Sequence, residues 1–337
     1  MIILDCLRLL GGLSLFLFGI SLSGAALERR AGPALQRRLS RVAAAPLGGF
    51  LTGLSVTALM QSSTAVTVMT VSFTGAGVLT LRQAIHIILG ANVGTTVTPW
   101  LVSLSILDAQ SPLLRLLSPA VLTPLSALAG IVLYLRRAPR RRDAGQLLLG
   151  FAVMMTGMQL MLDTAGILGD LPFFRNLLLA CSSPLTGLLA GALLTAVLQS
   201  SSASVGILQA LAATGQLPLG AAIPIVLGQN IGTCLTALIS SAAAGRSARR
   251  AALIHLCVNL FGSVLALALL AILKLFHPLP FLDAAAGAPS IAAAHTLFNL
   301  FCTAVFLPAA PLLERLVLYL VPEPSKSEVP GGPLGYG

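Results

Sequence analysis

Apolar residues run along this chain in stretches of roughly 18 or more, interrupted by Gly, Pro and clusters of arginine. Stretches of that length match helices crossing a hydrocarbon layer about 30 Å thick. The pattern predicts helices at 9–27, 83–105, 118–135, 147–164 and 290–313. Two shorter apolar limbs, 47–60 and 65–79, flank the polar tripeptide Gln61-Ser62-Ser63. A limb of 14 residues rises only about 21 Å, too little to cross. The pair therefore reads as a re-entrant hairpin with its polar tip in mid-membrane. The helix at 83–105 carries Gly90-Ala91-Asn92-Val93-Gly94-Thr95-Thr96, which reads as a break.

The pattern repeats. Shifted by 138 residues, 46–104 aligns without gaps on 184–242, and 24 of the 59 positions are identical. Gln61-Ser62-Ser63 meets Gln199-Ser200-Ser201, while Gly90, Asn92, Gly94 and Thr95 meet Gly228, Asn230, Gly232 and Thr233. The same shift sets Gly12 and Gly19 on Gly150 and Gly157, so the first apolar stretch is the partner of an interior helix rather than a cleaved leader. The expected division is a first repeat at 1–138, a second at 139–275, an extra C-terminal helix within 276–316 and a disordered tail at 317–337. The expected fold class is an all-α polytopic membrane protein in which each repeat carries a re-entrant hairpin and a broken transmembrane helix, with one extra C-terminal helix.

Charge orients this arrangement. Thirteen of the twenty basic residues fall in what read as three short loops, 28–45, 136–144 and 243–250. The segments 106–117, 165–183 and 275–289 hold only Arg115 and Arg175 beside Asp108, Asp170 and Asp283. Three crossings and one hairpin make each repeat odd, so the second is inverted. The positive-inside bias then puts the N-terminus outside and the C-terminus inside the plasma membrane. The net charge of +10 is thus an orientation and lipid-contact signal. Nucleic acid is not the expected partner, because stacking aromatics are scarce.

Composition agrees, with 56% hydrophobic and 9% charged residues. Five cysteines without CxxC spacing indicate neither a metal site nor a disulfide framework. His255 and His295 each precede an Asn by four residues and read as polar pairs facing a neighbouring helix. No GxSxG elbow supports a hydrolase, so the expectation is that the chain is not an enzyme.

Polar, non-helical backbone within a bilayer is tolerated where protein or a watery cavity satisfies it. Helix N-termini favour anions and carbonyl ends favour small cations. Hydroxyls of Ser62, Ser63, Thr64, Thr95, Thr96, Ser200, Ser201, Ser202 and Thr233 can donate to an oxyanion or coordinate a hard cation. Asn92, Asn230, Gln61 and Gln199 supply donors and acceptors. Ser and Thr also serve as glue between helices, but two different polar motifs duplicated at one interval point to a central transport site.

Gln61-Ser62-Ser63-Thr64 and Gln199-Ser200-Ser201-Ser202, each followed by Gly-x-Asn-(Val/Ile)-Gly-Thr, resemble the sodium-dependent inorganic phosphate cotransporter family. The resemblance covers residues 5–275 and suggests a compact bacterial-type member. It implies Na+-coupled symport of inorganic phosphate, with Na+ as coupling ion and no other cofactor. The ligands it implies are Gln61, Ser62, Ser63, Thr64, Asn92, Gly94, Thr95, Thr96, Gln199, Ser200, Ser201, Ser202, Asn230, Gly232 and Thr233, with Na+ held among the same residues. The expected partners are phosphate, Na+ and membrane lipid, and a homodimer is allowed. Alternatives are transport of another oxyanion, phosphate export, and a phosphate sensor without flux.

Overall fold

The computed structural model describes residues 2–42, 45–104, 118–169, 183–242 and 244–322, together with 176, 180 and 181. Among them the regular elements are helical and no strand occurs. Helix α1 spans Ile2–Val42, α2 Pro46–Met60, α3 Ser63–Gly75, α4 Leu81–Thr95 and α5 Val97–Ser103. Then come α6 (Pro119–Tyr134), α7 (Pro139–Gly169), α8 (Pro184–Leu198), α9 (Ser201–Ala212) and α10 (Leu219–Ser241). Helices α11 (Arg246–Phe276), α12 (Ala288–Phe306) and α13 (Ala310–Leu320) complete the order.

Among the described residues, six stretches are long and apolar enough to cross a bilayer: Leu4–Ala26, Leu81–Ser103, Pro139–Thr164, Leu219–Ser241, Arg246–Phe276 and Ala288–Phe306. The helix expected at 118–135 is α6, whose 16 residues rise about 24 Å and fall short of that length. The residues before it, 105–117, lie outside the described set. Helices α2, α3, α8 and α9 are the short limbs, of 15, 13, 15 and 12 residues.

Helices α1 and α7 run against each other through glycines. A side chain on Gly12 would meet the Gly157 carbonyl oxygen at 3.0 Å, and one on Gly19 would meet that of Gly150 at 2.6 Å. Gly12 and Gly19 correspond in the repeat to Gly150 and Gly157, so the contact is reciprocal and antiparallel. One apolar core joins α4, α10, α11, α12 and α13, with Ile85, Leu89, Leu227, Ile254, Phe298 and Val317 buried together. Arg82 of α4 forms two hydrogen bonds to Glu314 of α13, at 2.9 and 3.1 Å.

Four expectations need correction. The helix containing Gly228, Asn230 and Gly232 is unbroken from Leu219 to Ser241. Its counterpart is interrupted only at Thr96, which keeps right-handed helical angles of φ −69° and ψ −13°. There Pro99 has no N–H to offer the Thr95 carbonyl, and Ala237 stands at the matching place in α10. The motif glycines serve close packing instead of a turn. A Cβ on Gly90 would run into the Phe50 carbonyl of α2, and one on Gly228 into the Leu188 carbonyl of α8.

The basic loops are shorter than expected, because 28–42 continues α1, 139–144 begins α7 and 246–250 begins α11; Arg, Leu and Ala are all good helix formers. The extra C-terminal helix ends at Phe306, just before Pro308, where the missing N–H stops it. Finally, 317–320 belong to α13 and are not part of a tail. From residue 323 the expected tail lies outside the described residues.

Candidate functional site

Each Gln-Ser-Ser segment is a tight helix-to-helix turn built the same way. Gln61 ends α2 in the left-handed region (φ 55°, ψ 23°), and Gln199 ends α8 likewise (φ 52°, ψ 23°). These are the only non-glycine residues with positive φ among those described. A side chain held there costs conformational energy, and such strain concentrates at functional sites. Each Gln N–H donates back to a threonine carbonyl, Thr57 at 2.7 Å and Thr195 at 2.8 Å. The next residue then starts a new helix. The Ser62 hydroxyl accepts from the Ala65 N–H at 3.2 Å, and the Ser200 hydroxyl accepts from the Ala203 N–H at 3.3 Å. Serine is suited to this cap because its oxygen replaces a missing helical acceptor.

The two turns meet at one cavity of about 570 Å³. Gln61, Ser62, Ser63 and Thr64 line it together with Gln199, Ser200, Ser201 and Ser202. Ser21 and Gly24 of α1 form part of another wall. Among the described residues, no charged one lines this space. Its polarity comes from hydroxyls, amides and the N-terminal turns of α3 and α9. The backbone N–H groups of Ser63, Thr64, Ser201 and Ser202 belong to those first turns and have no acceptor within their helices. Among the described residues, no protein group hydrogen-bonds the hydroxyls of Ser63, Thr64, Ser201 or Ser202. A neutral wall of this kind can donate to an oxyanion and can also offer oxygens to a small hard cation.

Seven other sequence candidates stand elsewhere. Asn92, Gly94, Thr95, Thr96, Asn230, Gly232 and Thr233 are absent from the cavity lining. The Thr95 hydroxyl donates to the Ala91 carbonyl at 2.9 Å, Thr96 to Val93 at 2.8 Å and Thr233 to Gln229 at 2.9 Å. Gly94 and Gly232 pack on the backbones of α2 and α8. One link to the first turn comes from a residue outside the candidate set: the Thr98 hydroxyl donates to Gln61 Oε1 at 3.4 Å.

The two motif asparagines face α11 and α12. Asn92 Nδ2 donates to Asn259 Oδ1 at 3.3 Å. Asn230 Oδ1 accepts from Asn299 Nδ2 at 3.4 Å and lies 3.2 Å from His295 Nε2. All five side chains are buried. His295 and Asn299 therefore form a polar group facing α10, as their spacing predicts. Asn259 faces α4 on the same principle, while its Nδ2 also donates to the His255 carbonyl at 2.9 Å. What the sequence does not announce is the pairing with the motif asparagines. A signal for it exists, because His-x-x-x-Asn-Leu-Phe recurs 40 residues apart, at 255–261 and 295–301.

The chain matches the family model described as Na+/Pi-cotransporter over residues 15–163 and 172–279. It is 30% identical over 317 residues to YqeW of Bacillus subtilis, a protein of unassigned function, covering 91% of this chain and 95% of that one. It is 29% identical over 322 residues to YjbB of Salmonella typhimurium, provisionally named an inorganic phosphate export protein, covering 93% of this chain but 55% of that one. A stretch of 99 residues, 28% of this chain and 15% of the relative, is 38% identical to rat sodium-dependent phosphate transport protein 2A. No solved structure matches. With six apolar helices of spanning length and this match along most of its length, the multi-pass chain belongs to the Na+/Pi-cotransporter family.

Proposed function

We propose that the chain is a secondary active transporter that carries inorganic phosphate across the plasma membrane by symport with Na+. The observation that supports this most is the convergence of two capped helix N-termini, with four hydroxyls that no described protein group hydrogen-bonds, on one cavity. Each N-terminus presents partial positive charge to an anion. In this proposal Ser63, Thr64, Ser201 and Ser202 donate to phosphate oxygens. Gln61 and Gln199 turn carbonyl oxygens toward Na+.

The reciprocal, antiparallel contact of α1 with α7 supports an inverted pair of repeats, at 1–138 and 139–275. Helix pairs α2–α3 and α8–α9 are then re-entrant hairpins, each too short to span. The arginine-rich segments favour an outside N-terminus and an inside C-terminus. Two Na+ moving with divalent phosphate would be electroneutral, and a tenfold Na+ gradient would then supply about 2.8 kcal/mol.

Reconstitution tests the proposal. Purified protein in liposomes is expected to accumulate radiolabelled phosphate when Na+ is higher outside, and to do so less with K+ in place of Na+. Uptake indifferent to the imposed Na+ gradient would refute coupling. Phosphate export is the second reading, favoured by the names of the Salmonella and Escherichia coli relatives, of which this chain covers only 55% and 47%. Net efflux from loaded cells against an inward Na+ gradient would select it.

A further inference from the structure

The two halves hold their Gln-Ser-Ser hairpins by different chemistry. In the second half, Gln209 of α9 is fully buried. Its Nε2 donates to the Pro99 carbonyl at 2.9 Å, the Ser103 hydroxyl at 3.2 Å and the Ala288 carbonyl at 3.0 Å. Gln229 of α10, also fully buried, donates to the Ser204 carbonyl of α9 at 2.9 Å. Helix α9 is thereby tied to α5, α12 and α10.

The matching positions of the first half, at the 138-residue shift, are Val71 and Ala91. Val71 is fully buried among Ala84, Ala237, Ala248, Ala251 and Ala252. Ala237 corresponds to Pro99 in the repeat. Ala248 stands seven residues before His255, as Ala288 stands seven before His295. The same place in the fold is a hydrogen-bonded knot on one side and a bed of small apolar side chains on the other. Among the described residues, every hydrogen bond donated by an α3 side chain stays within α3.

Displacing α9 would strand buried amides and carbonyls, each losing its partner in a dry interior. Displacing α3 exchanges one set of weak dispersion contacts for another. We infer that Gln209 and Gln229 are positioning residues that make the second Gln-Ser-Ser turn the fixed wall of the cavity and leave the first as the moving one. This rests on the transport proposal for its role, but not for its test.

Hydrogen–deuterium exchange on the full chain in lipid nanodiscs compares amides 63–69 with 201–207. The α9 amides are expected to exchange about tenfold or more slowly than those of α3. Replacing Gln209→Val with Gln229→Ala, which copies the first half, should bring α9 to the rate of α3 and leave α3 unchanged. In liposomes the same variant should raise KM for phosphate severalfold, with kcat less affected, as the binding-ready population falls. Equal exchange of the two turns in the wild type, or faster exchange at α9, would overturn the inference even if the variant does not fold. Absence of phosphate uptake by the wild type would count against the transport proposal alone.

Discussion

Gly228→Ala separates two uses of the same residue. If the glycine serves a break that lets backbone approach an ion, alanine should disturb transport and spare stability. The structure instead places Gly228 inside an unbroken helix, where an added methyl would strike the Leu188 carbonyl. The struck atom is backbone, so it cannot swing away as the end of a flexible side chain could. Overpacking of this kind costs about 1–3 kcal/mol, and alanine returns about 1 kcal/mol of helix propensity. Because the struck atom is backbone, the upper end of that cost applies, and a net loss of about 2 kcal/mol follows, roughly thirtyfold in the folding equilibrium. Gly11 supplies the control, since a side chain there would meet nothing within 4 Å. Gly11→Ala should be neutral or stabilising by up to about 1 kcal/mol. Reversible unfolding in mixed micelles, followed by circular dichroism, measures both. The packing argument fails if Gly228→Ala is as stable as wild type while its phosphate affinity drops.

Ser63→Ala and Ser201→Ala should each raise the KM for phosphate about tenfold or more in liposome uptake, because each removes an unpartnered donor from the cavity wall; unchanged kinetics for both would take these hydroxyls out of the site. Asn299→Ala should lower stability by about 0.6–1.7 kcal/mol, the range for hydrogen bonds between membrane helices, read by the same unfolding assay. A double-mutant cycle on Arg82 and Glu314 should give a coupling below about 1 kcal/mol, since both side chains meet water. A larger coupling would mean that α13 is anchored chiefly by this ion pair.

Much of the candidate site was legible in the sequence because polar residues are conspicuous in an apolar chain. Gln61-Ser62-Ser63 and Gln199-Ser200-Ser201 could be set apart by repetition alone, and both turns line the cavity. The Gly-x-Asn-x-Gly segment misled for a definite reason. Glycine is compatible with a turn and with close helix packing, and only the neighbouring backbone distinguishes them. Phe50 and Leu188 lie some 40 residues from the glycines they cover, beyond any local pattern. The partners of the two asparagines, Asn259 and Asn299, likewise lie far along the chain, beyond any local pattern.

The sequence by itself determined which segments are apolar, which recur, and where hydroxyls and amides cluster, because periodicity and composition are properties of the chain. Tertiary structure decided which clusters share a space. Two turns 138 residues apart meet at one cavity, because α2 packs on α4, α8 on α10 and α1 on α7 through faces too small to keep backbones apart. It also decided that the two halves hold these helices by different contacts. Val71 and Gln209 occupy matching positions, yet only the packed neighbours make one a contact on alanine and the other a knot of hydrogen bonds.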